Sequence, residues 1–394
     1  MYKNDFPIFK NKPLVYLDSA ASAQKPTCVL DRLATFYTTA YANVHRGVCD
    51  LAVQATADFE DARLRVASFF NASPSEIVWT KGATEAINLV AAGFALQLKP
   101  GDEILISIAE HHANFVPWQL CAERSGATLK FFQVLPDGTL DFDDFSAKLS
   151  DKTKVVALTH MSNVIGILNP VEKFIKAAHK TGAKVLLDVA QSCVHTPIDV
   201  HQLKCDFMAL SGHKLYGPTG IGVLYGTADA LHDLPVYQAG GDMIKTVACT
   251  GTTFAEPPAK FEAGTPPFAE AVGLAAALSY LQTIGWDAIK KHEKELTDFL
   301  ISQLKSVPHI SFLGNPDLKE GLVCFNIGSI HPADMAFGLS KQHICARTGH
   351  HCAMPIHDFY NTSASLRVSL GLYNDRQDIE TFMAALYKTL DLFK

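Results

Sequence analysis

The chain has 394 residues, 48% hydrophobic and 19% charged, the balance of a soluble globular protein long enough for about two to three domains. Its formal net charge of -6 leaves no basic excess to neutralise phosphates, which argues against nucleic acid or an anionic membrane as the main partner. Lys3, Asp5 and Lys10 interrupt the start, no apolar run approaches membrane-spanning length, and nine cysteines without a CxxC pair read as reduced thiols in a cytoplasmic protein.

Residues 13–17 (PLVYL) read as a first strand, followed by a turn of small residues from Asp18 to Ala23. Helical spacing follows over 27–41 and, with an apolar face, over 51–70; the polar loop Asn43–Gly47 separates the two. The strand-like Ile77–Thr80 leads into Lys81-Gly82-Ala83-Thr84, which opens a helix. Its free N–H groups, dipole and hydroxyl suit a phosphate, or form an ordinary N-cap. After the buried run Glu103–Ile108 come His111 and His112. Adjacent histidines rarely share one metal ion and the HExxH spacing is absent, so a ring stacked on a cofactor competes with a satisfied core histidine.

Strands over 128–134, 155–159 and 184–187 alternate with helices such as 171–181, the pattern of a mostly parallel α/β sheet with both faces covered. Ligands in such sheets bind at the carboxyl ends of the strands, and Asn163, Asp188, Gln191 and Lys214 all follow strand ends. Asp188 leaves an apolar strand as a carboxylate that needs a cation: an Arg or Lys side chain, or a protonated pyridine nitrogen. Lys214 stands past the run Phe207–Leu210, at the head of a glycine-rich stretch. Desolvated there, a neutral amine condenses with an aldehyde; otherwise it is a solvated lysine beside a turn.

Helices over 268–284 and 287–304 and a strand at 321–327 point to an α+β terminal domain. Within it, Arg347, His350 and His351 crowd Cys352, a setting that favours thiolate, although a buried structural cysteine and a metal ligand remain open. Arg367, in the strand 365–369, is either an edge-strand charge or a fork for a carboxylate.

Taken together, YLDSAA, NVHRG, EHHAN, HMSNVIG, the Asp188–Ser192 segment, SGHKLYGPTGIG, EAGTP and RTGHHCAMP resemble the group II (SUF-type) cysteine desulfurases and their selenocysteine-lyase relatives, in the class V aminotransferase family. The resemblance runs from about residue 13 to the C-terminus. It implies an α/β fold-type I transferase that uses pyridoxal 5'-phosphate (PLP). A mostly parallel seven-stranded sheet is expected in a large domain, 13–280, with a smaller α+β domain, 281–394, on which segment 1–12 packs. It further implies that Lys214 binds PLP covalently and shuttles protons, Asp188 pairs with the pyridine nitrogen, Gln191 meets the ring hydroxyl oxygen and His111 stacks on the ring. Thr84, Ser211 and His213 would hold the phosphate, joined by Thr265 from the second subunit of a homodimer. Asn163, Arg347 and Arg367 would orient the substrate, L-cysteine or alternatively L-selenocysteine. Cys352 would take the sulfur as a persulfide for a SUF-type acceptor protein, leaving alanine, in sulfur mobilisation such as iron–sulfur cluster assembly.

Three positions depart from the family's habit. Ala83 replaces a frequent threonine, Val189 a common glycine, and Pro267 a usual polar residue, yet none removes a group the chemistry requires. Two other classes compete. A nicotinamide oxidoreductase lacks its GxGxxG after the first strand, and a metal or sulfur carrier would rest on the His and Cys clusters alone.

Overall fold

The structure is a computed structural model and describes residues 2–10 and 12–393, so positions 1, 11 and 394 of the expected segments lie outside the described residues. The first strand exists, over two residues, and lies outside the main sheet. β1 (Val15–Tyr16) pairs in parallel with Ile344–Cys345, and Val15 and Leu17 enter the C-terminal hydrophobic core. Two residues are too few to carry a readable period, so pairing was decided by tertiary packing.

Seven strands form the main sheet: β2 (Ile77–Thr80), β3 (Glu103–Ser107), β4 (Thr128–Phe132), β5 (Thr153–Thr159), β6 (Lys184–Asp188), β7 (Phe207–Ser211) and β8 (Gly222–Gly226). Their order is β2-β8-β7-β6-β5-β3-β4, and β8 alone runs against the rest. Both faces are buried, as near-continuous apolar strands require. Val155, Ala157, Leu186 and Ala209 point into one core, while Val156, Leu158, Leu187 and Leu210 point into the other. Because β3 to β7 run parallel, whatever ends each of these strands stands at one common edge.

An exposed hairpin, β9 (Ile244–Ala248) and β10 (Gly251–Phe254), follows in a stretch to which the sequence reading assigned no element. Its side chains carry no burial alternation to reveal it. The helices Phe268–Ile284 and Trp286–Leu304 lead to a four-stranded antiparallel sheet. That sheet comprises β11 (Ile310–Phe312), β12 (Leu322–Ile327), β14 (Arg347–Gly349) and β15 (Ser365–Ser369), with β13 (Ile344–Cys345) pairing outside it. β15 lies between β12 and β14, so Arg367 is no edge-strand charge.

Candidate active site

At the carboxyl edge of the main sheet, register sets Thr80 and Ser211 on either side of Gly222, and Thr159 beside Asp188. A cavity of about 230 Å³ opens over this edge. Eleven of the twelve expected site residues line it; Thr265 does not and is exposed on its own chain.

Lys214 closes the short turn Gly212–Lys214 that follows β7 and reaches the cavity. That turn needs close backbone contact beside it. A Cβ at Gly222 would stand 2.3 Å from Gly82 Cα and 2.6 Å from the Leu210 carbonyl oxygen, so only glycine fits. Enclosure lowers the Lys214 pKa, Asp188 opposes that fall, and the Arg367 charge adds to it. Lys25 fastens the adjoining backbone, its Nζ donating to the carbonyls of Ala23 at 2.6 Å and His213 at 3.0 Å.

Asp188 ends β6 and is 6% exposed. Burial raises its carboxyl pKa, against a 2.9 Å hydrogen bond from the Ala190 N–H and the charge of Lys214. One turn on, the Gln191 amide lies 3.0 Å from His195 Nε2, and its other atom, Oε1, is buried without a partner. His111 Nδ1 accepts from the Ala113 N–H at 3.0 Å. Burial, then Lys214, lowers that imidazole to about 3, so the neutral ring carries its proton on Nε2.

The next side of the cavity is polar. Ser211 Oγ accepts from the Ala83 N–H at 2.8 Å, which leaves the hydroxyl proton for another acceptor. Thr84 stands in the first turn of the helix Ala83–Gln97. His213, 3.2 Å from Ser22 Oγ, is held neutral by burial and then by Lys214, its pKa lowered to about 4.

Opposite, Arg347 on β14 and Arg367 on β15 are directly paired in register. Like charges facing one another across a ladder are unfavourable unless something negative joins them. Asp18 answers part of this, accepting from Arg367 Nη2 at 2.8 Å, while Nη1 donates to the Asn163 carbonyl at 3.2 Å. Arg367 Nε is buried and has no partner. Asn163 also donates through Nδ2 to the His351 carbonyl at 2.7 Å.

Cys352 faces the cavity from two consecutive left-handed residues, His351 at φ 49° and Cys352 at φ 58°. Side chains with a Cβ adopt that region at a cost, which surrounding contacts must offset. The His112 N–H donates to the Cys352 carbonyl at 2.6 Å, and the Cys352 N–H to His350 Nδ1 at 3.2 Å. His112 Nε2 accepts from the Met354 N–H at 3.1 Å. The two adjacent histidines thus divide their work: one lines the cavity and the other pins the cysteine loop.

Sequence reading assigned no role to Asp18, Lys25, Glu110 or the His195–Glu293 pair. Glu110 takes donors from Ser107 Oγ at 2.5 Å, Asn114 Nδ2 at 2.6 Å and the Thr159 N–H at 2.9 Å, tying the His111 loop to the end of β5. Burial, with Asp188 adding to it, lifts its pKa to about 8. Only an acid immediately after an apolar run hinted at it. Glu293 lies in a charged helix whose sequence looks like a solvated face, and nothing local betrays its burial.

Residues 15–382 match the family Aminotransferase class-V. The cysteine desulfurase of Serratia proteamaculans (strain 568) is 46% identical over 393 residues, covering 98% of this chain and 97% of its own. The structure of the cysteine desulfurase CsdA (S-sulfonic acid) from Escherichia coli superposes with a TM-score of 0.93 at 38% identity, over 99% of this chain and 98% of that one. A C-DES variant with glycine covalently linked to its PLP cofactor superposes with a TM-score of 0.85 at 27% identity, over 98% of each chain. Family match, near-complete coverage and shared fold lead to one conclusion: the chain belongs to the class-V aminotransferase family.

Proposed function

We propose that the protein is a PLP-dependent cysteine desulfurase, converting L-cysteine to L-alanine and taking the sulfur as a persulfide on Cys352. The observation that carries this reading is one cavity holding an enclosed lysine, a buried carboxyl group, two facing arginines and a thiol.

The residues fit the cofactor. A buried carboxyl with a raised pKa lacks the cation that a pyridinium supplies, and the unpartnered Gln191 Oε1 marks an amide awaiting a polar neighbour. Lys214 would hold PLP covalently through Nζ, Asp188 its ring nitrogen, Gln191 its ring oxygen and His111 its face. Thr84, Ser211 and His213 would hold the phosphate. Bound there, PLP supplies an electron sink that weakens the substrate's Cα–H and then its carbon–sulfur bond.

The chain's own groups do the rest. Lys214, its pKa lowered, offers a neutral amine to take a proton from Cα and return one. Arg367 and Arg347 receive the substrate carboxylate, which supplies the negative charge their facing positions call for. Asn163 steadies both the Arg367 fork and the cysteine loop. Cys352 Sγ, as thiolate, forms the sulfur–sulfur bond as the carbon–sulfur bond breaks; the carbon keeps that electron pair and is protonated to the methyl group of alanine.

The same reading makes the protein a homodimer. Thr265 is exposed away from its own cavity, where a partner's phosphate would find it, and Val48 is 98% exposed on the loop before the helix Asp50–Phe69. A SUF-type acceptor thiol would collect the sulfur from Cys352 for iron–sulfur cluster assembly. Nine free cysteines suit a reducing, cytoplasmic setting, and among the described residues no helix is long and apolar enough to cross a membrane. We divide the chain into a cofactor-binding part, 13–280, and a C-terminal part, 281–394. Residues 2–10 touch both, with Lys3 on Asp378 at 2.6 Å and Phe6 against Tyr216 and Tyr280.

The test is borohydride reduction. Protein supplied with PLP is expected to turn yellow, to bleach on reduction, and to yield a Lys214 peptide carrying the label. It is also expected to release alanine from cysteine. Colourless, inert protein refutes the reading.

A further inference from the structure

Behind the cavity wall, the Gln191 amide continues into a buried polar pair that the reaction as described does not use. Gln191, in the turn after β6, meets His195 Nε2 at 3.0 Å, and His195 Nδ1 meets Glu293 Oε2 at 2.9 Å. Glu293 arrives from the helix Trp286–Leu304, far along the chain. All three side chains are less than a tenth exposed. His195 and Glu293 line a second cavity of about 390 Å³ on the far side, so the imidazole stands between the two spaces. Gly321, at φ +66°, lies beside its edge: a Cβ there would come 2.3 Å from His195 Cε1, so only glycine leaves room for the ring.

With Glu293 accepting from Nδ1–H, the hydrogen-bond inventory allows two arrangements. With His195 neutral and its proton on Nδ1, Nε2 is an acceptor; the Gln191 NH2 turns to it, and the Gln191 carbonyl is left buried and unpartnered. With both ring nitrogens protonated, Nε2–H needs an acceptor, so the amide turns its oxygen to the imidazolium and its NH2 to the cofactor cavity. Amide oxygen and nitrogen are assigned by the network around them, and only the second arrangement turns a donor to the cofactor cavity. We propose that the Glu293–His195 ion pair is a positioning device that holds the Gln191 amide with its NH2 facing the cofactor cavity, so that the site offers a donor to an anionic ring oxygen. Burial by itself favours neutral His195, but Glu293 outweighs it and Glu320 assists, against the opposing charge of Lys214, and the net shift is upward. This proposal rests on the PLP reading above; it adds a route by which a helix of the C-terminal part sets what the cofactor meets.

The experiment uses Glu293→Gln, which keeps an acceptor for Nδ1–H and removes only the charge. Ring nitrogen-15 shifts of His195 are read in the protein freed of PLP, the resonances being identified by their loss in His195→Asn. PLP affinity of the same protein is read by equilibrium dialysis, and a thermal melt checks the fold. The expected result is an imidazolium in the parent at pH 7.5, a neutral ring in Glu293→Gln, and PLP affinity weakened about 10-fold or more, the scale of one hydrogen bond to a charged atom. A neutral His195 in the parent overturns the proposal, as does unchanged affinity in a variant whose ring has lost its charge. If Glu293→Gln fails to fold, Gln191→Glu presents no donor to the cavity and is expected to weaken affinity at least as much; parent-like affinity there overturns the proposal. Parent protein that holds an imidazolium yet binds no PLP refutes the functional reading and leaves the amide's orientation standing.

Discussion

Arg367→Lys separates charge from geometry at the proposed substrate anchor. The guanidinium already spends Nη2 on Asp18 at 2.8 Å and Nη1 on the Asn163 carbonyl at 3.2 Å, which leaves Nε and the remaining Nη protons for a carboxylate. A lysine ammonium has three protons at one point; with Asp18 and Asn163 claiming two, one remains where the fork offered a pair. The substrate therefore loses one charge-assisted hydrogen bond, about 1.5–3 kcal/mol. In kcat/KM that is about 10- to 150-fold. Because the carboxylate is gripped equally before and during bond breaking, most of the loss belongs in KM. The assay is alanine formation across a range of L-cysteine concentrations with excess reductant, on protein whose melting temperature and cofactor content match the parent. A kcat/KM within threefold of the parent refutes Arg367 as the carboxylate anchor. A loss confined to kcat instead shifts its role toward placing the reacting atoms.

Cys352→Ala is expected to abolish alanine formation from cysteine while leaving the cofactor colour intact; retained turnover overturns the assigned nucleophile, and alanine from selenocysteine alone would leave it standing. Asp188→Asn is expected to act in opposite directions on stability and function. Burial holds the native carboxyl above the ordinary range, so the cofactor-free parent loses stability as pH rises from about 3.9 through its folded pKa, and the asparagine variant does not. Melts of cofactor-free protein should therefore find the variant gaining on the parent from pH 4 to pH 7.5 while its PLP affinity falls; a variant that gains nothing on that path refutes the account. Gly222→Ala forces a methyl against Gly82 Cα and the Leu210 carbonyl, both backbone. A destabilisation of about 1–3 kcal/mol in denaturant melts is expected, and an unchanged midpoint would mean that the strand spacing there is looser than described.

Much of this molecule could be read before it was folded. Strands such as Phe207–Ser211 are apolar throughout because both faces are buried, and the run therefore announces itself; the helix Phe268–Ile284 falls on the residues its spacing predicts. Lys214, Asp188 and Gln191 were legible for a topological reason: residues just past parallel strands share one edge of the sheet, so position along the chain implies position in space.

What the amino-acid order determined by itself was therefore local periodicity, the punctuation of strands and turns, and the residue types waiting at strand ends. Tertiary structure decided what no short window contains. β1 left the main sheet for Ile344–Cys345, Arg367 became a central-strand residue facing Arg347 and holding Asp18, and Glu293 came from a charged helix to lie 2.9 Å from His195. The reason is physical: a hydrophobic period is set by neighbours three or four residues away, whereas the partner of a buried charge is whichever group the packed chain brings to it, at any separation in sequence.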